Sequence, residues 1–552
     1  MTTIYGLHPG HDSCIAKIQG DSLLYSHELE KFNESRYAYI KTKQHEELMI
    51  PDIEEGEHLV LSGQQKGSVE IDGELFQYDS IGYSSKNNNP LEIRESFLPL
   101  PSRGIIINTV YHTTCHVVGS YCASPFAQRG EDAFVSIWDG GVNDMLFYVN
   151  YEKLTVDYLG FLTGFNTGVF MYCSFYWGPD KLPCIEKRDL STFDEESKIR
   201  ENRENPEHIK LRGSPGVLMA YQALGEVKQE IVDILDTTYN KSEPFPKGRA
   251  YTKLYKNLLN FEDPDIIASI YQYLGDKKIE RLLRMVQGVP KRKRNLVLTG
   301  GAALNIKWNS AIRRTGEFEK VWAPPFCNDT GVGLGAATAK MVLSNKSWDF
   351  EWDTYRGQEL ITTGYTKSYK EDWKRAKCSL TKLAEVLYYE DEPVVFLKGR
   401  AELGPRALGH RSILASPKNE DMKQRLNDVK MREPFRPVAP ICMEEHASDF
   451  FDPGTPDPYM LFDHHVRETV KDRIPAVIHV DGTARLQTIN EDQEPGIYEL
   501  LFQFYQISGI PMLCNTSANE KGRGFFPSVT SALDWGRTKY VWAEGYLYEK
   551  VE

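Results

Sequence analysis

A short apolar segment that runs into a glycine- and arginine-rich loop constrains the fold of this chain more than any other feature. Residues 393–397 are rich in strand formers, and the loop that follows extends to Ala415. The cations and glycines of the loop are Lys398, Arg400, Arg406, Arg411, Gly399, Gly404 and Gly409. Glycines let a backbone approach a ligand closely, and guanidinium groups match phosphate oxygens in pairs. The pattern predicts a phosphate-binding loop at the end of a strand in an α/β domain; the alternative is a solvated basic loop.

Length and composition bound the class of protein. A chain of 552 residues is too long for one hydrophobic core, so two or three large domains are expected. The sequence has no apolar run of the roughly 18 residues that a membrane span needs. It has no signal-peptide pattern at its start, and its nine cysteines are scattered. We therefore expect a cytoplasmic protein without a membrane segment. The formal charge of −13 argues against binding a polyanion over the whole surface, but it leaves room for local basic patches.

Several segments in the first half of the chain place polar groups in turns after predicted strands. Residues 3–18 predict two strands joined by a turn that contains His11 and Asp12. Residues 133–138 predict a strand before Asp139, and residues 296–299 predict a strand before a glycine pair. Such turns face the nucleotide phosphates in actin-like and sugar-kinase-like ATPase lobes. The residues expected to line a nucleotide are Gly140, Gly141, Gly300, Gly301 and Asn305.

A histidine pair in the first half suggests a metal site. His112 and His116 are four residues apart in a segment with helical periodicity, so they share one face of a helix. Two buried histidines with ordinary hydrogen bonds would give the same pattern. If Asp139 and Asp329 approach this face, the four side chains could hold one hard or borderline cation.

The periodic pattern breaks near residues 344–357, and we place the domain boundary there. The predicted domains are residues 1–346 and residues 361–552, joined by a linker at 347–360. In the second domain, residues 474–480 predict a strand that delivers His479, Asp481 and Arg485 around a glycine. Residues 510–513 predict another strand, which ends in hydroxyl and amide groups. The phosphate-binding groups expected in addition to the loop are Lys430, Arg436, His479, Arg485, Asn515, Ser517 and Asn519.

Four strings of the second domain resemble the ATP-dependent O-carbamoyltransferases, the family of nodulation protein U and the cephamycin and tobramycin carbamoyltransferases. The strings are the 399–415 loop, Arg-Glu-Pro-Phe-Arg-Pro at 432–437, His-Val-Asp-Gly-Thr-Ala-Arg-Leu-Gln-Thr at 479–488 and Asn-Thr-Ser-Ala-Asn at 515–519. With the histidine pair, both aspartates and the glycine pair, the resemblance covers almost the whole chain. The chain departs from the family at Ala518, where the family has Phe, and at residues 524–526, where the family has Pro-Ile-Val.

The resemblance implies a fold. The first domain is expected to be an actin-like ATPase domain, a duplicated ribonuclease-H-like unit similar to the protein that completes threonylcarbamoyl transfer to tRNA. The second is expected to be an α/β domain similar to YrdC, which forms a carbamoyl adenylate. YrdC proteins carry a Lys-x-Arg and a later Ser-x-Asn, which Lys398-Gly399-Arg400 and Ser517-Ala518-Asn519 match.

The resemblance also implies a reaction. Carbamoyl phosphate and Mg-ATP would give carbamoyl adenylate in the second domain, at Lys398, Arg400 and the other phosphate-binding groups. A divalent metal in the first domain, expected to be Fe(II), would be held by His112, His116, Asp139 and Asp329 and act on the carbamoyl group. The implied catalytic residues are His11, as the base for an acceptor hydroxyl, and Asp12.

The acceptor is left open by the sequence. Residues 35–43, 239–256 and 291–294 contain clustered cations, and the first two interleave them with tyrosines. This pattern suits nucleic acid, and basic surface loops would show it too. The family's usual acceptor is a natural-product hydroxyl; the alternative is a hydroxymethylated pyrimidine in DNA. A third hypothesis is a non-catalytic, nucleotide-binding regulatory protein. A homodimer is also compatible with the sequence.

Overall fold

The computed structural model describes residues 2–63, 67–85, 89–140, 142–166, 168–179, 206–239, 249–365 and 369–551. Three mixed sheets and their covering helices form a mixed α/β fold. Gly141 lies outside the described residues, as do Lys241 and Lys247 of the second tyrosine-containing basic stretch. Among the described residues, no helix combines the length and the apolar character needed to cross a membrane.

The first sheet contains six strands in the order β3-β2-β1-β4-β8-β7. Strand β1 pairs antiparallel with β2 and parallel with β4. The strands of this region, including a small separate hairpin of β5 and β6, are β1 Thr3–His8, β2 Cys14–Gln19, β3 Ser22–Glu28, β4 His58–Ser62, β5 Ser68–Ile71, β6 Glu74–Gln77, β7 Ile93–Pro99 and β8 Gly104–Val110. The helices of this region are α1 Glu30–Asn33, α2 Lys43–Met49, α3 His112–Cys122 and α4 Pro125–Gln128.

The second sheet repeats the topology of five strands of the first sheet, β3-β2-β1-β4-β8. Its order is β11-β10-β9-β12-β13, with β9 antiparallel to β10 and parallel to β12. Its strands are β9 Ala133–Ile137, β10 Asn143–Asn150, β11 Thr155–Asn166, β12 Asn295–Thr299 and β13 Lys320–Trp322. Its helices are α5 Gly168–Trp177, α6 Pro206–Tyr221, α7 Gln229–Tyr239, α8 Arg249–Leu258, α9 Asp263–Val286, α10 Ile306–Arg314 and α11 Val332–Asn345. Two successive units with the same strand order and directions agree with the duplication implied for the first half.

The third sheet contains eight strands in the order β14-β24-β23-β15-β16-β22-β17-β21. The strands of this half, including a small three-stranded sheet of β18, β19 and β20, are β14 Trp373–Lys377, β15 Val394–Leu397, β16 Arg411–Ala415, β17 Ala439–Met443, β18 Phe451–Asp452, β19 His464–Val466, β20 Thr483–Ala484, β21 Gln487–Ile489, β22 Met512–Ser517, β23 Tyr540–Ala543 and β24 Tyr546–Lys550. The helices are α12 Tyr369–Asp372, α13 Leu380–Glu385, α14 Asp421–Val429, α15 Ala447–Phe450, α16 Pro495–Ser508 and α17 Val529–Trp535.

The structure confirms the predicted strand before the arginine-rich loop, because β15 ends at Leu397 and the loop connects it to β16. We call residues 398–411, which include the first residue of β16, the arginine loop. The strand predicted over 474–480 is wrong. Pro475 begins a short 3₁₀ helix, Pro475–Val477, because proline suits the first helical turn and has no N–H to donate to a sheet.

The segment predicted as a linker packs against both halves. Trp348 and Phe350 are buried in the core of the first half. Farther along, the Gly357 N–H donates to the Ala401 carbonyl and the Leu360 N–H donates to the Gly399 carbonyl. Residues 348–360 therefore fix the start of the arginine loop relative to the first half.

Helices α3 and α11, which end the two repeated units, cross in close contact. Each is made mainly of small and apolar residues, and glycines lie at the crossing. A Cβ added to Gly335 would lie 2.0 Å from the Cys115 carbonyl oxygen, and one added to Gly119 would lie 2.7 Å from the Gly335 Cα. The glycines thus allow backbone-to-backbone packing of the two helices.

We expect Gly335→Ala to destabilise the first half by at least about 2 kcal/mol, since the added methyl group must push α3 and α11 apart. The midpoint of thermal unfolding, followed by calorimetry, should decrease accordingly. Gly216→Ala is the matched control: Gly216 lies in helix α6, and a Cβ there would meet nothing within 4 Å. This control should be neutral or slightly stabilising, and an equal effect of both substitutions would contradict the packing argument.

Candidate metal centre and anion site

Four side chains that could hold a metal ion converge between the two repeated units. His112 and His116 occupy the first two turns of α3, Asp139 follows strand β9, and Asp329 lies in the 3₁₀ turn just before α11. All four side chains are buried, and one ligand atom of each lies within 4.8 Å of the others. The histidine spacing and the two aspartates that the sequence analysis singled out are therefore brought together.

The separations of these atoms suit a single cation. The two histidine Nε2 atoms are 3.2 Å apart, and Asp329 Oδ1 lies 3.2 Å from His116 Nε2 and 3.5 Å from His112 Nε2. Asp139 Oδ2 lies 3.7 Å from His112 Nε2. Ligand atoms about 2.1 Å from an ion are about 3.0–3.4 Å apart at right or tetrahedral angles. Two imidazoles with two carboxylates suit a borderline or hard divalent ion.

Asp139 is oriented by neighbouring groups. The Gly301 N–H donates to its Oδ1 at 2.9 Å, and the Tyr83 hydroxyl donates to its Oδ2 at 3.3 Å. The Tyr83 ring also stacks on His112, with centroids 4.1 Å apart. Sequence reasoning missed Tyr83, because it lies in an irregular segment with no recognisable motif. Partners of this kind fix the orientation of metal ligands.

The predicted nucleotide-lining residues lie next to this centre. Gly300 has φ +81°, and a Cβ there would lie 2.4 Å from the Trp138 carbonyl oxygen, so the glycine pair lets the chain pass close to β9. Gly140 is exposed. The Asn305 side chain caps helix α10 by accepting from the N–H groups of the second and third residues after it. Nucleotide binding by these residues remains a prediction.

The electrostatics of the centre favour positive charge. Burial works against the protonation of His112, but Asp329 and Asp139 outweigh it and raise its pKa to about 9. Burial also works against the charge of Asp329, yet His11 and His112 hold the pKa of that carboxyl well below its usual range. Both effects have the same origin, a pair of buried carboxylates that a divalent cation would also stabilise.

The predicted catalytic pair lies at the edge of the same cluster. His11 Nδ1 is 2.9 Å from Asp12 Oδ2, and His11 Nε2 is 3.3 Å from Asp329 Oδ2. The His11 side chain is 40% exposed, whereas those of His112 and His116 are at most 2% exposed. His11 is therefore placed where a molecule from solvent can reach the centre.

His8, the last residue of strand β1, is a further member of the cluster, and the sequence analysis assigned it no role. Its Nδ1 lies 2.7 Å from Ser62 Oγ and its Nε2 lies 3.1 Å from the His11 carbonyl oxygen. Burial lowers the pKa of His8 to about 3, so this imidazole is neutral at ordinary pH. His8 therefore supports the turn that carries His11.

A second cluster, of cations, lies in the second half. Its members are Arg406, Lys430, Arg432, Arg436 and Arg485, joined by Arg36 from the first half. Burial first, and then neighbouring cations, lower the pKa of Arg406 to about 10 and that of Arg432 to about 9. The Nε atoms of Arg406 and Arg485 are buried and have no hydrogen-bond partner among the described residues. Buried like charges with unused donors are unfavourable unless an anion binds.

Arg36 and Arg432 are members of this cluster that the sequence analysis noted within longer segments but did not assign to phosphate binding. Arg36 is exposed and lies in a segment docked on the second half: Ser35 forms a bridge with Arg523, and the Gly524 N–H donates to the Glu34 carbonyl. The cation–tyrosine pattern of residues 35–43 was the available signal. The structure places the start of this stretch against the second half.

The cations of the arginine loop divide into two groups. Arg411 differs from the expectation, because its two terminal nitrogens donate to the carbonyl oxygens of residues 358, 398, 399 and 410. It therefore holds the loop together. Lys398 Nζ lies 2.5 Å from Glu494 Oε1, and Arg400 donates to the carbonyl oxygens of Arg356 and Gly357. Arg406 is the loop cation that reaches the cluster.

The remaining predicted residues of the second half are held by three separate sets of hydrogen bonds. Lys430 Nζ donates to the carbonyl oxygen of Ser517 and to the side-chain oxygen of Asn519. Asn515 donates to the Gln487 side chain at 2.9 Å. His479 lies 3.1 Å from Asp481 through Nδ1 and 3.2 Å from the Phe435 carbonyl oxygen through Nε2. Of these bonds, those of Lys430 fix the position of a member of the cation cluster.

Comparison with known proteins decides the family. The family description "Carbamoyltransferase N-terminus" matches residues 102–338 and "Carbamoyltransferase C-terminus" matches residues 384–550. The chain belongs to the carbamoyltransferase family. It is 35% identical to nodulation protein U of Sinorhizobium fredii, over 99% of both chains. It is 28% identical to 3'-hydroxymethylcephem-O-carbamoyltransferase of Amycolatopsis lactamdurans, over 96% of this chain and 95% of that protein. This carbamoyltransferase is thus aligned with its relatives over nearly its whole length.

Solved structures give weaker similarities. Full-length HypF in its phosphate- and nucleotide-bound form covers 63% of this chain and 56% of its own, with 12% identity and a TM-score of 0.29. HypF of T. kodakarensis covers 62% of this chain and 48% of its own, with 12% identity and a TM-score of 0.32. Scores this low do not assign the fold of the carbamoyltransferase.

We expect His116→Ala to abolish stoichiometric binding of a divalent metal, because it removes one of the four ligands. Tyr83→Phe should weaken metal affinity by about 10- to 100-fold, because it loosens Asp139 without removing a ligand. Metal content and titration with Fe(II) and Mn(II) measure both effects. His465→Ala, at an exposed histidine of strand β19, is the control and should bind metal like the wild type. Unchanged metal content in His116→Ala would exclude this site.

Proposed function

We propose that this carbamoyltransferase is ATP-dependent, forms carbamoyl adenylate from carbamoyl phosphate and ATP at the cation cluster, and transfers the carbamoyl group to an acceptor hydroxyl at the metal centre. The observation that carries the proposal is the pairing of a partly buried cation cluster, in which two buried guanidinium Nε donors have no hydrogen-bond partner among the described residues, and a separate site suited to a divalent ion. In fold terms, we infer an actin-like first domain and a YrdC-like second domain. The repeated topology of the first two sheets supports the first inference.

The activation step requires strong neutralisation of phosphate charge. Carbamoyl phosphate and water would give carbamate and phosphate, and the carbamate oxygen would then attack the α-phosphorus of ATP and displace pyrophosphate. Arg406 and Arg485 are suited to stabilise the charge that develops, because their buried Nε donors have no hydrogen-bond partner in the part of the chain that the structure describes. Lys430, Arg432 and Arg436 add to the positive potential. The fixed position of these groups means that little reorganisation is needed when charge develops.

The transfer step would use the metal centre. The acceptor oxygen would attack the carbamoyl carbon, AMP would leave, and the hydroxyl proton would be taken up by a base. His11 suits the role of base because it is exposed, and its hydrogen bond with Asp12 sets the orientation of its ring. A divalent ion held by His112, His116, Asp139 and Asp329 would act as a Lewis acid on the carbamoyl group.

A natural-product hydroxyl is the acceptor that we favour. The relative 3'-hydroxymethylcephem-O-carbamoyltransferase is named for a hydroxymethyl acceptor of this kind. The acceptor must approach from the exposed side of His11. Tyr39 lies there, with its ring centroid 6.2 Å from that of His11, and Lys41 lies 5.5 Å from the Tyr39 ring.

A hydroxymethylated pyrimidine in DNA is the second candidate acceptor. The observation that favours it is the Tyr39 ring beside His11, with Lys41 over that ring. Aromatic rings stack on bases, and cations attract phosphates. The two candidates differ in how strongly the reaction should depend on salt.

To test the activation step, the wild-type protein is mixed with ATP, magnesium and carbamoyl phosphate. We expect AMP and pyrophosphate, detected by chromatography. Arg485→Met should lower the rate by about 10²–10³, because a buried donor to the reacting phosphate is lost. Arg129→Met, at a surface arginine paired with Glu131, is the control and should react like the wild type. A well-folded, metal-loaded wild type that forms no AMP with any acceptor would instead support a non-catalytic, nucleotide-binding protein.

To test the acceptor, duplex DNA that contains 5-hydroxymethylcytosine is offered beside small hydroxyl acceptors, and the products are measured by mass spectrometry. If DNA is the acceptor, activity should fall steeply between about 50 and 200 mM salt, because phosphate contacts release counterions. Activity on an uncharged small acceptor should change little over this range. Carbamoylation of the small acceptors alone would exclude the DNA candidate.

A further inference from the structure

An ion pair in the first half is buried at the boundary with the second half. Lys31 Nζ lies 2.9 Å from Glu28 Oε1, and each side chain is only 2% exposed. Glu28 ends strand β3 and Lys31 is in the short helix α1. Neither residue belongs to the metal centre or to the cation cluster.

The partners of this pair lie on the arginine loop. Lys31 Nζ donates to the carbonyl oxygens of Glu402, at 2.5 Å, and of Gly404, at 2.9 Å. Glu28 Oε1 accepts from the Gly404 N–H at 2.9 Å. Gly404 is thus held through both its N–H and its carbonyl oxygen. It has φ +85°, and a Cβ there would lie 2.0 Å from the Pro325 carbonyl oxygen.

The backbone of residues 402–404, which Glu28 and Lys31 hold, controls the position of Arg406. The Glu402 carboxylate accepts from the N–H groups of Leu408, at 2.6 Å, and Arg411, at 3.3 Å, so residues 402–411 form one hydrogen-bonded unit. Arg406 lies within this unit, two residues after Gly404, and one of its terminal nitrogens donates to the Leu304 carbonyl at 3.2 Å. A shift of Gly404 would therefore move the Arg406 guanidinium group relative to the other members of the cation cluster.

The two charges of the pair depend on each other. Burial raises the pKa of Glu28 to about 7, although Lys31 works in the opposite direction. Removing Lys31 would leave a buried carboxyl and two backbone carbonyls without their donor, which is costly. The bond to Gly404 would then be lost or rearranged.

We propose that Lys31 and Glu28 are positioning residues for carbamoyl activation: an ion pair of the first half that holds the arginine loop so that Arg406 faces the phosphate ligand in the second half. This proposal deepens the proposed function and rests on it. It makes the adenylate-forming step dependent on residues outside the half that binds the phosphates.

The test uses the full-length, metal-loaded protein with ATP and carbamoyl phosphate as probes. Lys31→Met, which removes the charge but keeps most of the side-chain length, should weaken ATP binding in calorimetry and lower the rate of AMP formation, by up to about 100-fold for a misplacement of 1 Å. The metal content should stay at the wild-type level, because no ligand of the metal centre is touched. Glu28→Gln, which is isosteric and can still accept from Gly404, should show a smaller effect of the same kind. If Lys31→Met does not fold, this variant carries the test.

Lys278→Met is the matched control. Lys278 is also a buried lysine of the first half, 2.8 Å from the Asp144 carboxylate, and none of its hydrogen bonds and ion pairs with the described residues reaches the arginine loop. It should lower thermal stability as Lys31→Met does, yet bind ATP with wild-type affinity. ATP affinity and AMP formation within twofold of the control in both test variants would overturn the proposal. A wild type that binds ATP but forms no AMP would instead refute the proposed function, and the ATP-binding comparison would still decide the role of the pair.

Discussion

The close contact between helices α3 and α11 is the constraint on which the metal centre depends. The glycines at the crossing let the Cys115 backbone touch Gly335, and the same contact brings the first turns of α3 beside the turn that precedes α11. His116 and Asp329, 213 residues apart in the chain, are then separated by 3.2 Å. Larger residues at the crossing would separate the helices and the ligands together. The small-residue composition of α11 is therefore a requirement of the site as well as of the fold.

In the second half, the cation cluster imposes a different constraint: cations that lie close together and are partly buried must be compensated by acceptors of the protein or of a ligand. Within the arginine loop, the charge of Lys398 is compensated by Glu494, and the guanidinium group of Arg411 is surrounded by backbone carbonyls. Arg406 has one hydrogen bond to the Leu304 carbonyl and a buried, unused Nε. Such a distribution builds a rigid loop from some cations and leaves others available to a ligand. An arginine thus supports the loop where carbonyl oxygens surround it, as at Arg411, and is available to a ligand where they do not, as at Arg406.

Local patterns in the sequence predicted the parts of the site that short segments determine. The helix of the histidine pair, the strands before Asp139 and before the arginine loop, and the position of Asp329 ahead of a helix are all confirmed. Each of these predictions rests on hydrophobic periodicity or on a glycine turn within a short segment of the sequence. The strand predicted over 474–480 failed because a proline at the start of an apolar run favoured a helical turn.

Contacts between segments that are distant in the sequence could not be predicted from local patterns. Tyr83 orients Asp139, and Arg36 joins the cation cluster, but neither belongs to a local pattern that points to its partner. Arg411 matched a phosphate-binding pattern, yet its environment of carbonyl oxygens depends on how residues 358 and 398–410 fold around it. Residue type and spacing describe which groups are available, whereas the tertiary fold decides which of them still have unused donors.

Gly404 shows why the two halves cannot be treated as independent. On one side it touches Pro325, four residues before Asp329; on the other it is held by Glu28 and Lys31. The N–H of Leu29, between these two residues, donates to the carbonyl of Ser13, next to the turn that carries His11. The backbone supports of the metal centre and of the arginine loop are therefore in direct contact. A displacement at either site must be accommodated by the other, because close-packed backbone at a glycine leaves no room for an independent movement.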